Sequence, residues 1–152
     1  MIGSESIFID TNILVYARDR AEAVKGSIAQ QLSNELMNAG KVIVSVQVLS
    51  EFFSATTKKC RPRLTAQEAA LDVMKLLELC AVVSLTPEVF ELAVELVQTH
   101  QLTIWDAQIA AAASLAGADI VLTEDTQSRP AILGVRYVNP FEPGYDWRQL
   151  LS

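Results

Sequence analysis

Acidic residues stand at points of this sequence where a predicted strand has just ended or a helix has just begun. Asp10 directly follows the apolar run I-F-I, and Asp125 comes shortly after I-V-L. Glu51 lies early in the helical stretch V-L-S-E-F-F, and Asp106 lies in the first helical turn of T-I-W-D-A-Q. Brought together, such carboxylates repel one another by about 1 kcal/mol per pair at 4 Å in water. A cation is needed to offset that repulsion.

Mg²⁺ and Mn²⁺ are the expected cations, because both prefer oxygen ligands and because no His or Cys accompanies these acids. Such ions polarise a phosphoryl oxygen, lower the pKa of a bound water and hold the attacking and leaving oxygens of a displacement at phosphorus. Each acid also has an ordinary structural explanation: a helix cap for Asp106, turns for Asp10 and Asp125, and a solvated helix position for Glu51. Their joint placement favours the metal site.

The elements that must position these acids alternate along the chain. Strand-like apolar runs are separated by longer stretches of helical periodicity. The runs are I-F-I before Asp10, V-I-V before Ser45, A-V-V before Ser84, I-V-L before Thr123 and V-R-Y-V before Asn139. This alternation predicts an α/β fold with a mainly parallel five-stranded sheet covered on both faces. Ligands bind such sheets beyond the carboxyl ends of the strands, where the strand order reverses.

Local signals mark the ends of the helices. Thr65 with Glu68 has the spacing of a capping box, and so has Thr103 with Asp106. Thr86 is a predicted N-cap that is followed by proline at the first helical position. Gly40 and Gly117 fall where two helices should end.

Length and composition predict one domain over residues 1–152, with a core of about 5–141 and a tail, 142–152, that is expected to fray. The net charge of −6 argues against a protein that coats nucleic acid through a basic surface. Cys60 and Cys80 are too few for a disulfide framework or a zinc site, so a reducing cytoplasm is the expected location. The N-terminus lacks the features of a signal peptide, and no apolar run is long enough to span a membrane.

Five motifs in order resemble those of a PIN domain, most similar to toxin ribonucleases of the VapC kind. They are D-T-N-I-L from Asp10, S-E-F from Ser50, W-D-A-Q-I-A-A-A-A from Trp105, T-E-D from Thr123 and V-N-P-F from Val138. The resemblance runs from about Ile7 to Phe141. One departure is S-R-P at Ser128 to Pro130, where many relatives carry a glycine-containing turn.

The resemblance implies a three-layer α/β/α fold and an acidic Mg²⁺ or Mn²⁺ site that cleaves RNA. The family's acidic positions fall on Asp10, Glu51, Asp106 and Asp125. Asn12 matches a polar residue that supports the first acid, and Glu124 is a secondary candidate that would substitute for Asp125 or assist it. The resemblance also implies an antitoxin partner and a homodimer. An apolar stripe, Leu71, Met74, Leu77 and Leu79, is interpreted as core or partner surface.

The strongest basic cluster follows the helix that carries Glu51. It is K-K-C-R-P-R, with the cations Lys58, Lys59, Arg61 and Arg63. These charges would hold phosphates leading into the site, although cations at a helix C-terminus also complement the helix dipole without any ligand. A looser second group consists of Arg18, Arg20 and Lys25.

Two other functions stay open at this stage. A phosphotransfer domain would use Asp10 as nucleophile. Haloacid-type phosphatases need a second Asp two residues later, where this chain has Asn12. Receiver domains need a Lys after the last strand, where this chain has Asn139-Pro140. A non-catalytic module that binds RNA or protein would have little reason to keep all four acids. A metal-dependent endoribonuclease is therefore the preferred hypothesis.

Overall fold

A computed structural model describes residues 5–126 and 130–152 of the chain. All five predicted strands are present, and a sixth, shorter strand precedes the last of them. Ser128 and Arg129, where the S-R-P departure falls, lie outside the described residues. In chain order the elements are β1 (Ile7–Ile9), α1 (Thr11–Tyr16), α2 (Ala23–Asn38), β2 (Val42–Ser45), α3 (Val46–Lys58), α4 (Ala66–Leu79), β3 (Ala81–Val83), α5 (Pro87–His100), α6 (Ile104–Leu115), β4 (Ile120–Leu122), β5 (Ala131–Ile132), β6 (Val135–Val138) and a 3₁₀ helix (Trp147–Leu151).

The strands form one sheet in the order β3-β2-β1-β4-β6-β5. Neighbouring strands are parallel except β5 and β6. Every side chain of β1 and β4 is buried, although successive residues of a strand point to opposite faces of the sheet. Both faces of the sheet centre are therefore covered, which gives the three layers of an α/β/α fold. The strand order reverses between β1 and β4.

The prediction of five strands was one short, because β5 has only two residues and shows no periodicity. Residues Ala131–Ile132 pair antiparallel with β6 across a two-residue turn, Leu133 and Gly134. These two residues have φ of 52° and 79°, the two positive values that a type I′ hairpin turn requires. Gly134 adopts its value without the steric cost that a Cβ would bring.

The helix ends follow the predicted signals. Thr65 and Glu68 make both hydrogen bonds of a capping box, and Thr103 caps α6. Gly40 and Gly117 take φ of 70° and 74° just beyond α2 and α6, which is the left-handed conformation of a helix C-terminus. Within the described ranges, no helix is long and apolar enough to cross a bilayer.

The C-terminal segment is packed, so the expectation that residues 142–152 fray was wrong. Trp147 and Leu150 are 5% and 3% exposed and belong to the hydrophobic core. The buried ammonium group of Lys41 donates to the main-chain oxygens of Leu150 and Ser152, at 2.9 and 3.0 Å. A buried ammonium group needs such acceptors. Lys41, which directly precedes β2, therefore ties the C-terminal segment to the sheet. No local sequence pattern reveals this long-range link.

Candidate active site

The four candidate carboxylates line one cleft of about 550 Å³ at the carboxyl edge of the sheet. They are Asp10, Glu51, Asp106 and Asp125. The cleft opens where the strand order reverses between β1 and β4, the place at which parallel sheets bind ligands. Four side chains from distant parts of the sequence thus face a common space.

Asp10 is fixed on every side by its neighbours. Its amide donates to the carbonyl of Leu122 at 2.9 Å, which ties the end of β1 to the end of β4. Its carboxylate caps α1 by accepting from the amide of Thr11 at 2.7 Å, and it accepts from the hydroxyl of Thr123 at 3.0 Å. A carboxylate ends this buried strand because it begins the next helix while it faces the cleft.

Burial raises the pKa of Asp10 from its ordinary value of 3.8 to about 6. The bonds from Thr11 and Thr123 act in the opposite direction, while the negative charges of Glu51 and Asp106 raise the pKa further. The ionised form of Asp10 is therefore held at an energetic cost near neutral pH. A cation in the cleft would relieve this cost.

Glu51 is half-buried on α3, and both of its oxygens accept hydrogen bonds. The Thr11 hydroxyl donates to Oε2 and the Gln47 amide group donates to Oε1, each at 2.9 Å. Gln47 is oriented in turn by Gln108 of α6, whose Nε2 donates to it at 2.8 Å. Gln108 is buried, so this chain of bonds holds the rotamer of Glu51 from the interior.

Asp106 and Asp125 complete the acidic lining. Asp106 lies in the first turn of α6, and its amide donates to the hydroxyl of Thr103 at 3.1 Å. Asp125 is exposed, and its amide donates to the hydroxyl of Thr123 at 3.2 Å. The Thr123 hydroxyl also accepts from Asn12 at 3.1 Å. It therefore uses its one donor and two acceptor positions to join Asp10, Asn12 and Asp125.

The secondary candidates occupy different surroundings. Asn12 lines the cleft and supports Asp10 through Thr123. Glu124 is absent from the described lining of the cleft, and its carboxylate instead bonds to Tyr16 and Lys25. These contacts do not favour Glu124 as a substitute for Asp125.

Four orienting residues were missed by sequence reasoning. They all stand inside or beside the quoted motifs, and they are Thr11, Gln47, Gln108 and Thr123. For Thr11, Gln47 and Thr123 the available signal was a hydroxyl or amide residue next to an acid or one helical turn from it. Gln108 contacts Gln47 from another helix, which no local spacing indicates.

The basic cluster meets the acidic cleft at one residue. A second depression of about 590 Å³ is lined by residues 58–63, and Lys59 lines both this depression and the acidic cleft. In the looser second group, Arg18 is paired with Asp72 and Lys25 with Glu124, so neither charge is offered to a distant phosphate.

The donor set fits a hydrated cation better than a dehydrated one. Within residues 5–126 and 130–152, no three His, Cys, Asp or Glu side chains lie close enough together to ligate one ion directly. Mg²⁺ usually keeps several waters and binds proteins through one or two carboxylates. A cleft whose described lining has four carboxylates but no His or Cys, with the carboxylates of Asp10 and Glu51 well fixed, suits that mode.

Fold and cleft define an α/β/α protein with an acidic site at the carboxyl edge of a parallel sheet. The family comparison names the class: the model of the PIN domain matches residues 7–131, and the chain belongs to this family. No curated protein matches the chain in sequence.

Solved structures share the fold at low sequence identity. VapC20 of Mycobacterium tuberculosis, described as a toxin that cleaves the sarcin-ricin loop, is 22% identical with a TM-score of 0.63, covering 86% of this chain and 99% of its own. A toxin-antitoxin complex from Klebsiella pneumoniae is 23% identical with a TM-score of 0.63, covering 90% of this chain and 99% of its own. A DNA-bound VapBC from Salmonella typhimurium is 18% identical with a TM-score of 0.62, covering 88% of this chain and 97% of its own.

Proposed function

We propose that this chain is a metal-dependent endoribonuclease that hydrolyses RNA phosphodiester bonds. The observation that carries the proposal is the gathering of Asp10, Glu51, Asp106 and Asp125 around one cleft at the strand-order reversal. PIN domains are nucleases, so membership of the family supports the same reaction. It also favours hydrolysis over the phosphotransfer alternative.

The residues that would hold Mg²⁺ or Mn²⁺ are the four carboxylates, directly or through water. Such an ion polarises the phosphoryl oxygen and lowers the pKa of water. The chain's part is to keep its acceptors oriented. Thr11 and Thr123 hold Asp10, while Gln47 and Thr11 hold Glu51, so that neither carboxylate turns away from the cleft.

The RNA strand is proposed to enter over the basic cluster, Lys58, Lys59, Arg61 and Arg63. The role proposed for Lys59 is to contact the phosphate that enters the acidic cleft, and it is supported by the position of Lys59 in the lining of both depressions. Phosphate contacts of this kind position a nucleic acid without reading its bases.

Lys59→Met is expected to weaken RNA binding about fivefold near 0.1 M salt. It should also reduce the slope of log affinity against log salt concentration by about one. Binding of a fluorescent RNA to Asp10→Asn protein, which is expected not to cut it, measures both quantities across a salt series. Lys75→Met makes the same charge change on exposed α4, beside the Arg18–Asp72 pair, and should leave both unchanged. Equal effects of the two variants would remove the entry path.

An antitoxin partner and a homodimer form part of the same proposal. One solved structure of the same fold is described as a toxin-antitoxin complex, and another as DNA-bound VapBC. Leu71, Met74 and Leu77 of the predicted stripe are 72%, 63% and 46% exposed, whereas Leu79 packs against the core. Exposed apolar side chains on one helix suit a protein partner. The two lone cysteines support a cytoplasmic location for such a pair.

The test is incubation of a structured RNA pool with the protein and Mg²⁺ or Mn²⁺, beside a chelator-treated sample. Cuts that need the divalent ion and disappear with chelator are expected. A pool left intact under all metal conditions would instead favour the non-catalytic binding module. Trapping of a phosphoaspartate at Asp10 would favour phosphotransfer.

A further inference from the structure

Glu124 lies between Thr123, whose hydroxyl bonds to Asp10, and Asp125, which lines the cleft. Its own carboxylate accepts from the Tyr16 hydroxyl at 2.6 Å and pairs with the Lys25 ammonium at 2.6 Å. Its amide donates to the side-chain oxygen of Asn12 at 3.3 Å. Glu124 is thus bonded to α1 and α2 at three points.

Lys25 and Tyr16 are themselves held in place by aromatic contacts. The Lys25 ammonium lies 5.3 Å from the Tyr16 ring centre and 6.0 Å from that of Phe141. The two rings pack edge to face at 5.3 Å. Cation–π and edge-to-face contacts of this kind restrict the side chains of Lys25 and Tyr16 independently of their bonds to Glu124.

The first turn of α2 can approach α1 this closely because residue 26 is glycine. A Cβ at Gly26 would stand 2.9 Å from the main-chain oxygen of Tyr16 and 3.3 Å from that of Asp19. Backbone atoms cannot move aside as a flexible side chain can, so any larger residue would push α2 outward. Gly26 thereby keeps Lys25 within reach of Glu124.

The bonds also fix the ionisation of Glu124. Burial acts to raise the pKa of this carboxyl, but the bonds from Lys25 and Tyr16 outweigh it and hold the pKa below its ordinary value.

We propose that Glu124 is a positioning residue and not a metal ligand: it fastens the Thr123–Asp125 turn to Tyr16 and Lys25, and so sets where Asp125 meets the cation. This inference rests on the proposed function for its catalytic consequence. Residues in such supporting positions commonly change metal affinity by about 10- to 100-fold when replaced.

The experiment compares Glu124→Gln with the double variant Tyr16→Phe/Lys25→Met. Glu124→Gln removes the charge that pairs with Lys25, and the double variant removes both side-chain partners while it leaves the Glu124 carboxylate intact. The amide bond to Asn12 remains in both variants. We expect each to weaken Mn²⁺ binding, measured by electron paramagnetic resonance, about tenfold, with kcat close to that of the wild type at saturating Mn²⁺. Combining all three changes should add little further loss, because the residues act as one unit. Unchanged Mn²⁺ affinity in the double variant would overturn the proposal, since a direct ligand would survive there.

Asp72→Asn is the matched control, because it breaks the ion pair between Asp72 of α4 and Arg18, in the turn after α1, without touching residues 123–125. An equal loss of Mn²⁺ affinity in this control would reduce Glu124 to general stability and overturn the proposal. Amide exchange supplies a readout that needs no metal. The amide of Asp125 should exchange about tenfold faster in Glu124→Gln while β4 is unchanged; an unaltered rate at Asp125 overturns the fastening even if the wild type neither binds metal nor cuts RNA.

Discussion

Asp10→Asn is expected to lower the rate of RNA cleavage roughly a thousandfold at saturating Mg²⁺ or Mn²⁺. The variant keeps the size and the helix-capping oxygen of the side chain but removes its negative charge. Metal-assisted stabilisation of the transition state contributes several kcal/mol, and a thousandfold loss corresponds to about 4 kcal/mol. The measurement is single-turnover cleavage of an RNA that the wild type cuts.

The control for this prediction is Asp119→Asn. Asp119 also adjoins β4, but it lies at the opposite edge of the sheet, where its carboxylate accepts from the amide of Ser6 at 2.8 Å. It makes the same change of charge far from the cleft and should retain wild-type cleavage. Similar rates for Asp10→Asn and the wild type would exclude Asp10 from the reaction.

The same carboxyl should make the metal-free protein less stable as the pH rises. Its folded-state pKa of about 6 exceeds the ordinary value of 3.8, so the folded protein holds the proton more tightly than the unfolded chain. This contribution is complete below pH 3.8 and is lost as the pH rises through about 6. The loss amounts to about 3 kcal/mol of unfolding free energy at pH 7 or above.

Urea unfolding of the wild type and Asp10→Asn between pH 4 and pH 8, with chelator present, measures this effect. The difference between the two proteins isolates Asp10, because Glu68 and Glu124, whose pKa values are lowered, titrate in both. The wild type should lose about 2.4 kcal/mol relative to the variant between pH 4 and pH 8, because part of the proton linkage lies below pH 4. In chelator-free buffer, saturating Mn²⁺ should restore this stability. A difference that stays constant with pH would contradict the buried, mutually repelling arrangement of the acids.

The fold was largely accessible from sequence because its signals are local. Five of six strands show short apolar runs, and capping residues such as Thr65 mark the helix starts. The placement of Asp10 at the carboxyl edge follows from one rule, that parallel strands end on the same side. Side-chain period and strand direction together bring distant acids to one cleft.

The remaining features depend on long-range contacts that one sequence does not encode locally. The bond between Lys41 and the segment around Leu150 joins positions far apart in the chain, so the packed tail was missed. Glu124 was grouped with Asp125 because they are adjacent, yet neighbours outside regular structure can point in different directions. Its partners Tyr16 and Lys25 lie about a hundred residues earlier, in helices whose packing had to be known first.

Calorimetric titration of the metal-free protein with Mn²⁺ tests the joint site most directly, with wild type, Asp10→Asn, Glu51→Gln, Asp106→Asn and Asp125→Asn compared at pH 7.5. We predict saturable Mn²⁺ binding by the wild type and a weaker affinity in every one of the four variants, with Asp119→Asn unaffected. Wild-type affinity in all four variants, or no saturable binding by the wild type, would contradict this prediction.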